Sequence, residues 1–155
     1  MPEDTQRPLR IFLAEDNRAD VYLVEIALRE HKLHFVLQSV SDGEEAIRAV
    51  ERFGQGEAVP DIALLDLNLP RQEGDKILST IRQQPCCLSM PVVLMTSSES
   101  QRDRATAEQY QATFFSKPPE LAGFLALGPL VRSLCYPDVL AGSVSEEDSK
   151  KEDIS

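Results

Sequence analysis

Polar side chains of chemically useful types follow four short apolar runs of this sequence, each at the carboxyl end of its run. They are Glu15, Asp16, Asp66, Thr96 and Lys117. If the runs are parallel strands of one sheet, their carboxyl ends lie along one edge, where the ligands of open α/β sheets bind. Three carboxylates, one hydroxyl and one ammonium group are therefore predicted to converge on a single site.

Three neighbouring carboxylates repel one another, and this repulsion restricts the kind of site they form. Two unit charges about 4 Å apart repel by about 4 kcal/mol at an effective dielectric constant of about 20. Such a site either keeps protons on some of its acids or binds a cation. Oxygen ligands without a thiol or an imidazole favour a hard ion, so the expected cofactor is Mg²⁺ or Mn²⁺.

The same residues indicate phosphoryl chemistry. With a divalent cation in place, the carboxylate of Asp66 is able to attack phosphorus and form an acyl phosphate. Because phosphoryl transfer depends mainly on positioning and on neutralising the phosphoryl oxygens, Lys117 is the expected point charge and Thr96 the expected hydroxyl donor. Taken singly, Asp66 also suits a turn-former or a helix cap, Thr96 a strand-end cap and Lys117 a solvated charge.

The runs that position these side chains have the lengths of strands. They cover residues 9–14, 34–40, 62–65, 92–95 and 112–116. The third run is entirely apolar, which is typical of a strand buried on both faces of a parallel sheet. Five strands alternating with five helical segments predict an α/β fold, a doubly wound five-stranded parallel sheet flanked by helices on both faces.

The predicted helices lie between and after the strands. They include residues 21–28, 44–53, 77–81, 99–110 and 119–135. Asp16 or Asn17 is the expected N-cap of the first helix. The fourth has few large apolar residues, so we expect it to be weakly anchored, and Pro129 lies deep enough in the last to kink or split it.

In combination, the motifs resemble the receiver domain of bacterial response regulators, and the resemblance extends from about residue 9 to residue 135. The matching residues are Glu15-Asp16-Asn17, Asp66-Leu67-Asn68-Leu69-Pro70, Gly74, Thr96-Ser97 and Lys117-Pro118. Each motif alone is weakly specific, but the motifs in this order, each at a strand end, are together highly specific. The resemblance implies a flavodoxin-like fold and a signalling protein that catalyses only its own phosphorylation and dephosphorylation.

The resemblance also implies which residues accept the phosphoryl group and hold the metal. Asp66 becomes the phosphoacceptor, and Asp16 a direct Mg²⁺ ligand. Glu15 is implied to act on the metal directly or through water, and Asn68 to offer its backbone carbonyl. Glu15 replaces the aspartate that is more frequent in this family, and its longer side chain favours a water-mediated contact.

A second group of residues is implied to respond to phosphorylation. Thr96 becomes the switch hydroxyl, and Lys117 contacts the phosphate, aimed by a cis peptide bond between Lys117 and Pro118. Phe114 takes the position of the switch aromatic, where tyrosine is more frequent, so no phenolic hydrogen bond is expected there.

The implied partners are a sensor histidine kinase and a downstream phosphotransfer or effector protein. The segment Glu-Asp-Asn-x-Ala-Asp at residues 15–20, without an output domain, resembles the stand-alone regulators that partner phytochrome-type kinases. A homodimer is expected through residues 99–110, Phe114 and the exposed side of the last helix. Two alternatives stay open, an aspartyl-phosphate phosphohydrolase and a binding module that works without phosphorylation. The first is disfavoured because haloacid-dehalogenase-like enzymes need an aspartate where Asn68 stands.

Composition and charge indicate where the chain works. The net charge of -10 argues against nucleic acid and anionic membranes as partners. The sequence contains no apolar run of transmembrane length and no signal peptide at its start. The cysteines, Cys86, Cys87 and Cys135, have no metal-binding or disulfide spacing, so reduced thiols and a cytoplasmic location are expected.

Domain boundaries follow from the change in composition at each end. Residues 1–8 are predicted to be a flexible leader and residues 9–136 the receiver domain. Residues 137–155 contain six acids and two lysines and are predicted to form a disordered acidic tail.

Overall fold

The computed structural model describes residues 7–71, 74–97 and 100–136. The predicted acidic tail and most of the predicted leader lie outside these ranges. Arg7, near the end of that leader, donates two hydrogen bonds of 2.9 Å to the carboxylate of Asp61. Within the ranges described, no helix has the length and apolar content needed to cross a membrane.

Five parallel strands form a single sheet. They are β1 (Leu9–Ala14), β2 (Phe35–Val40), β3 (Ile62–Asp66), β4 (Val92–Thr96) and β5 (Thr113–Ser116). Their order across the sheet is β2-β1-β3-β4-β5, so the strand that ends in Asp66 is central. Every residue of β3 is buried, as expected for an apolar run covered on both faces. The predicted fold class is confirmed.

In the described ranges, four helices connect consecutive strands and two more follow the last strand. They are α1 (Arg18–Glu30), α2 (Gly43–Gly54), α3 (Gly74–Gln83), α4 (Gln101–Gln109), α5 (Leu121–Phe124) and α6 (Leu127–Cys135). A short 3₁₀ turn, Pro85–Cys87, follows α3. Of the two predicted caps of α1, Asn17 is the one that forms: its side-chain oxygen accepts hydrogen bonds from the backbone N–H groups of Ala19 and Asp20.

The alternation of side chains along β1 shows how the sheet is covered on both faces. Phe12 and Ala14 belong to a buried cluster with residues of α2 and α3. Ile11 and Leu13 belong to the opposite cluster, with residues of α1 and α6. Two cores of this kind fix the sheet rigidly, so the carboxyl ends of its strands provide a firm edge for the site.

The last predicted helix is divided, but not at Pro129. The division falls between α5 and α6, at residues 125–126, and Pro129 is the third residue of α6. In the first turn of a helix the backbone N–H has no intrahelical partner, so proline is accepted there. The prediction of a split was right, but its position was wrong.

The prediction of a weakly anchored fourth helix is confirmed. Among the residues of α4, only Ala107 is buried. The helix begins with a cap by Ser100, whose hydroxyl oxygen accepts a hydrogen bond from the N–H of Asp103. With so little apolar area in the core, α4 belongs to the part of the fold that shifts at the lowest cost in free energy.

Gly74 is required by a close approach rather than by backbone conformation. A Cβ atom at this first residue of α3 would lie 2.5 Å from Cδ2 and 3.1 Å from Cα of Leu67. Leu67 directly follows Asp66. The absence of a side chain at Gly74 therefore lets α3 begin against the loop that carries the predicted phosphoacceptor.

Candidate functional site

The ammonium group of Lys117 lies among three carboxylates at the carboxyl edge of the sheet. Its Nζ atom is 2.7 Å from Oε1 of Glu15, 2.8 Å from Oδ2 of Asp20 and 3.1 Å from Oδ2 of Asp66. Burial lowers the pKa of Lys117, but its hydrogen bond to Asp20, its close contact with Glu15 and the negative charges of Glu15 and Asp66 outweigh burial and raise the pKa overall. Lys117 is therefore fully charged at neutral pH.

Glu15 is the most deeply buried acid of the site, with 2% of its surface exposed. Its Oε2 atom accepts a hydrogen bond from the backbone N–H of Asn17 at 3.0 Å. Its Oε1 atom is close enough to Lys117 for an ion pair, but the angles do not suit a hydrogen bond, so this buried oxygen has no hydrogen-bonding partner. Burial, aided by the charge of Asp66, raises the pKa of Glu15 to about 7 despite Lys117.

Three of the acids are arranged as a potential metal site. Glu15, Asp16 and Asp66 each offer a carboxylate oxygen, and these oxygens lie within 4.8 Å of one another. Asp16 is exposed to solvent, whereas Glu15 and Asp66 are buried. The buried Glu15 oxygen without a hydrogen bond and the all-oxygen ligand set both fit a hard divalent cation.

Asp66 is held by its own loop at the end of β3. Its Oδ1 atom accepts a hydrogen bond from the backbone N–H of Asn68 at 2.9 Å, which leaves Oδ2 for Lys117. Asn68 is exposed and lies directly beside the acid cluster. The role of its backbone carbonyl as a metal ligand stays a prediction.

Thr96 is fully buried at the end of β4 and is linked to α4. Its hydroxyl donates to Oδ2 of Asp103 at 3.5 Å, a long hydrogen bond. Its backbone carbonyl accepts from the N–H of Lys117 at 2.7 Å, which joins the ends of β4 and β5. Thr96 thus contacts the weakly anchored helix through its hydroxyl and the strand end that carries the lysine through its backbone carbonyl.

Phe114 lies in β5, half-buried against the core cluster beneath α2 and α3. The guanidinium carbon of Arg104, from α4, lies 4.6 Å from the centre of the Phe114 ring. This cation–π contact connects the predicted switch aromatic to the same helix that Thr96 contacts.

The predicted cis peptide bond between Lys117 and Pro118 is absent. The described residues contain no cis peptide bond, so this bond is trans. The trans form is preferred before proline by about 0.5–1 kcal/mol. With the trans bond, the Lys117 ammonium already reaches Glu15, Asp20 and Asp66, so the cis geometry is not needed to aim it.

Asp20 is the one acid of the site to which the sequence analysis gave no chemical role. It lies in the first turn of α1, four residues after Asp16. Its carboxylate reaches the Lys117 ammonium at 2.8 Å, which places it beside the acids at the strand edge. No signal in the sequence indicates this contact, because it joins residues 97 positions apart.

The raised pKa of Glu15 predicts how stability depends on pH without a divalent metal. The pKa of Glu15 is about 7 in the folded chain, compared with an ordinary value of 4.5 for a glutamate. Folding therefore favours the protonated form of Glu15. The contribution of Glu15 is therefore complete below pH 4.5 and is lost as pH rises through about 7, a loss of about 3 kcal/mol. Urea denaturation in EDTA between pH 5 and 8 should show this decline, and Glu15→Gln should flatten it. A wild-type decline equal to that of the variant would contradict the assignment.

Comparison with known proteins shows similarity to response regulators. A family model described as "Response regulator receiver domain" matches residues 11–126. Response regulator Rcp1 of Synechocystis sp. is 34% identical over 105 residues, which cover 66% of this chain and 71% of that protein.

Solved structures with the same fold include two related crystal structures. The phosphorylated cyanobacterial phytochrome response regulator RcpA has a TM-score of 0.73 and 28% identity, covering 82% of this chain and 93% of its own. The Mn²⁺-bound form of response regulator Rcp1 has a TM-score of 0.71 and 28% identity, covering 81% and 93%. A phosphorylated state and a metal-bound state have thus both been observed on this fold.

Proposed function

This chain belongs to the response regulator receiver domain family, and from that premise we propose that it accepts a phosphoryl group on Asp66 from a sensor histidine kinase. The observation that carries the proposal is the position of the Asp66 carboxylate. It lies at the end of the central strand, 3.1 Å from the Lys117 ammonium. It also shares a potential metal site with Glu15 and Asp16. The proposed nucleophile, the proposed phosphoryl-binding cation and the proposed metal ligands therefore lie together at one edge of the sheet.

In the proposed reaction, a carboxylate oxygen of Asp66 attacks the phosphorus of a phosphohistidine on the kinase. The new P–O bond forms an acyl phosphate while the P–N bond breaks, and the imidazole leaves with the electron pair of that bond. Lys117 then donates a hydrogen bond to a phosphoryl oxygen instead of to Asp66. The chain itself catalyses only this transfer and the later hydrolysis of its own acyl phosphate.

The proposed metal ligands are the carboxylates of Glu15, Asp16 and Asp66 and the backbone carbonyl of Asn68. Bound Mg²⁺ or Mn²⁺ neutralises the phosphoryl oxygens during transfer. The proposal is supported by the arrangement of carboxylate oxygens and by the Mn²⁺-bound state known for Rcp1.

Magnesium is expected to raise the melting temperature of the wild-type protein, because it binds the folded chain and relieves repulsion between Glu15, Asp16 and Asp66. Asp16→Ala should erase most of that increase. Glu25→Gln, which removes a charge from α1 outside the acid cluster, serves as the control and should keep it. The measurement is a thermal melt in EDTA and in millimolar Mg²⁺. Equal stabilisation of wild type and Asp16→Ala would place the ion elsewhere.

We further propose a phytochrome-type histidine kinase as the phosphodonor and a downstream phosphotransfer or effector protein as the recipient of the signal. The support is the similarity to Rcp1 and to the phytochrome response regulator RcpA. A cytoplasmic location is part of the proposal, and it is supported by the free thiols of Cys86, Cys87 and Cys135.

The signalling change is proposed to begin at Thr96. Its hydroxyl now donates to Asp103, and it is expected to turn toward a phosphoryl oxygen on Asp66. Phe114 then moves into the space that Thr96 leaves. Because the Phe114 ring contacts Arg104 of α4, this movement shifts α4. We call the surface formed by α4, Phe114 and the exposed side of α6 the switch face.

A homodimer through the switch face, strengthened by phosphorylation, is the proposed consequence. Moving an equilibrium from 1:99 to 99:1 needs about 5.5 kcal/mol of differential binding, so a partial shift is expected. Sedimentation velocity with and without a phosphoryl mimic measures it, with Arg104→Glu as the variant that should weaken association. A protein that stays monomeric at high concentration in both states would leave partner binding as the use of this face.

The experiment that tests the proposed function is incubation with Mg²⁺ and a small phosphodonor. An acid-stable, alkali-labile mass gain on Asp66 is expected. Continuous release of inorganic phosphate from many substrates would favour a phosphohydrolase instead. No mass gain with intact partner binding would favour a module that works without phosphorylation.

A further inference from the structure

We propose that Asp20 is a positioning residue that holds the ammonium group of Lys117 beside the site and so keeps it from competing with the metal for Glu15 and Asp66. The inference rests on the proposed function, and it assigns a task to a residue outside the three acids of the potential metal site.

The contact between Asp20 and Lys117 has the geometry of a strong charge-assisted hydrogen bond. Nζ of Lys117 donates to Oδ2 of Asp20 at 2.8 Å, shorter than its 3.1 Å bond to Asp66. Exposed fractions are 11% for the lysine side chain and 22% for the Asp20 side chain, so water screens the pair only partly.

Asp20 is held firmly enough to position another group. The side-chain oxygen of Asn17 accepts hydrogen bonds from the N–H groups of Ala19 and Asp20 at 2.9 and 3.2 Å. The first turn of α1 is therefore fixed at the end that carries the Asp20 carboxylate, and α1 itself packs against the sheet through Val24, Ala27 and Leu28.

Competition between Lys117 and a metal follows from the partners of the ammonium group. A lysine ammonium has three N–H donors, and Lys117 faces three acids. Glu15 and Asp66 are also two of the three acids that would hold the cation, whereas Asp20 is not. Asp20 is thus the one partner that Lys117 keeps when the other two turn to a metal.

Removal of Asp20 therefore has a definite consequence. Lys117 keeps its charge and its two remaining partners, so it pairs more strongly with Glu15 and Asp66 and hinders the metal. A merely structural ion pair between α1 and the end of β5 would instead lower stability and leave metal affinity unchanged. The two interpretations differ in the affinity for Mg²⁺ and in whether Lys117 is required for the effect.

The test is a double-mutant cycle on Mg²⁺ affinity, measured by calorimetric titration of the metal-free protein at pH 7. Asp20→Asn keeps the shape and removes the charge, and we expect it to raise the Kd for Mg²⁺ about tenfold, as is common for residues that orient metal ligands. In a Lys117→Met background the same substitution should change the Kd by less than about twofold, because the competitor is gone.

Glu45→Gln controls for loss of negative charge at a distance. Glu45 lines the same cleft as Glu15 and Asp16, and its carboxylate accepts from the N–H of Ser41 rather than from Lys117. It should leave the Kd within about twofold of wild type if contact with Lys117 is what matters. An equal loss of affinity in Asp20→Asn with and without Lys117, or an equal loss in Glu45→Gln, would overturn the inference.

A second measurement needs neither metal nor the Lys117 variant. In metal-free protein, ¹⁵N NMR of the lysine side chains should show slowly exchanging ammonium protons for Lys117, and Asp20→Asn should speed their exchange. Unchanged exchange would show that Asp20 does not hold the group. A wild-type protein that takes up neither Mg²⁺ nor a phosphoryl group would overturn the proposed function and this inference together. A functional wild type with an unaffected Asp20→Asn variant would overturn the inference alone.

Discussion

Asp66→Asn is expected to abolish phosphorylation by a small phosphodonor or a histidine kinase while the fold survives. An amide oxygen is a far weaker nucleophile than a carboxylate, so the step that forms the acyl phosphate is lost. The side chain keeps its size, and its oxygen still accepts the hydrogen bond from the N–H of Asn68 that now orients Asp66. The variant also removes one negative charge from beside Glu15, so no loss of stability is expected from the acid cluster.

The matched control is Asp61→Asn, at the opposite end of the same strand. Asp61 is bound to Arg7 and accepts from the N–H of Arg10, far from the carboxyl edge of the sheet. Its replacement should leave phosphorylation at the wild-type rate. Intact-protein mass spectrometry after incubation with the phosphodonor and Mg²⁺ gives the result. A comparable mass gain in Asp66→Asn would show that another residue is the acceptor.

Much of the fold was predictable from the sequence because two features indicate the same parallel strands. They are the length of the apolar runs and the polar residues that follow them. The apolar run after residue 61 is too short for a buried helix and ends in an acid, and it became the central buried strand. The same logic placed Glu15, Asp16, Thr96 and Lys117 on one edge, and it needed no information about side-chain contacts. Parallel strands carry their carboxyl ends to a common edge whatever the details of the loops.

The parts that could not be predicted depend on contacts between residues distant in sequence. The guanidinium of Arg82 donates to the carbonyls of Met90 and Tyr110, at 2.9 and 3.0 Å, and so ties the end of α3 to the end of α4. From the sequence alone, an arginine in the last turn of a helix indicates only a surface charge. The fold is needed to show that the carbonyls lie beside it. The direction of Asp20 toward Lys117, across 97 positions, is of the same kind.

Local preferences were misjudged where two of them compete. Pro129 was expected to break the last helix, but the chain breaks before it and uses it in the first turn of α6. Lys117 and Pro118 were expected to form a cis bond by resemblance, whereas the trans bond suffices to bring the ammonium to its acids. The first error concerned where a proline is accepted in a helix, and the second carried a feature of the resembling family over to a bond that is trans here.

Lys117→Met is expected to be the most destabilising single change at the site. Among the residues that the structure describes, Lys117 carries the one cation paired with the buried acids Glu15 and Asp66. Methionine keeps most of the apolar stem and removes the charge, so the acids are left buried without a counter-ion. Breaking a buried ion pair from one side costs about 3–5 kcal/mol.

The loss should depend on pH in a definite direction. Without Lys117 the pKa of Glu15, already about 7 because of burial, should rise further. The folded variant then holds its protons more tightly than the unfolded chain, so its stability is retained at acidic pH and falls as pH increases toward 8. Destabilisation in EDTA should therefore be smaller at pH 5 than at pH 8.

Magnesium should reverse much of the effect, since a divalent cation among Glu15, Asp16 and Asp66 replaces the missing positive charge. Urea denaturation of the wild type and the variant, in EDTA and in Mg²⁺ and at pH 5 and pH 8, measures the loss of stability, its dependence on pH and its reversal by the metal. Lys76→Met, an exposed lysine on α3, is the control and should change the free energy of unfolding by no more than about 0.5 kcal/mol. A Lys117→Met protein as stable as wild type in EDTA at pH 8 would mean that the acids are neutralised in another way, and the electrostatic account of this site would fail.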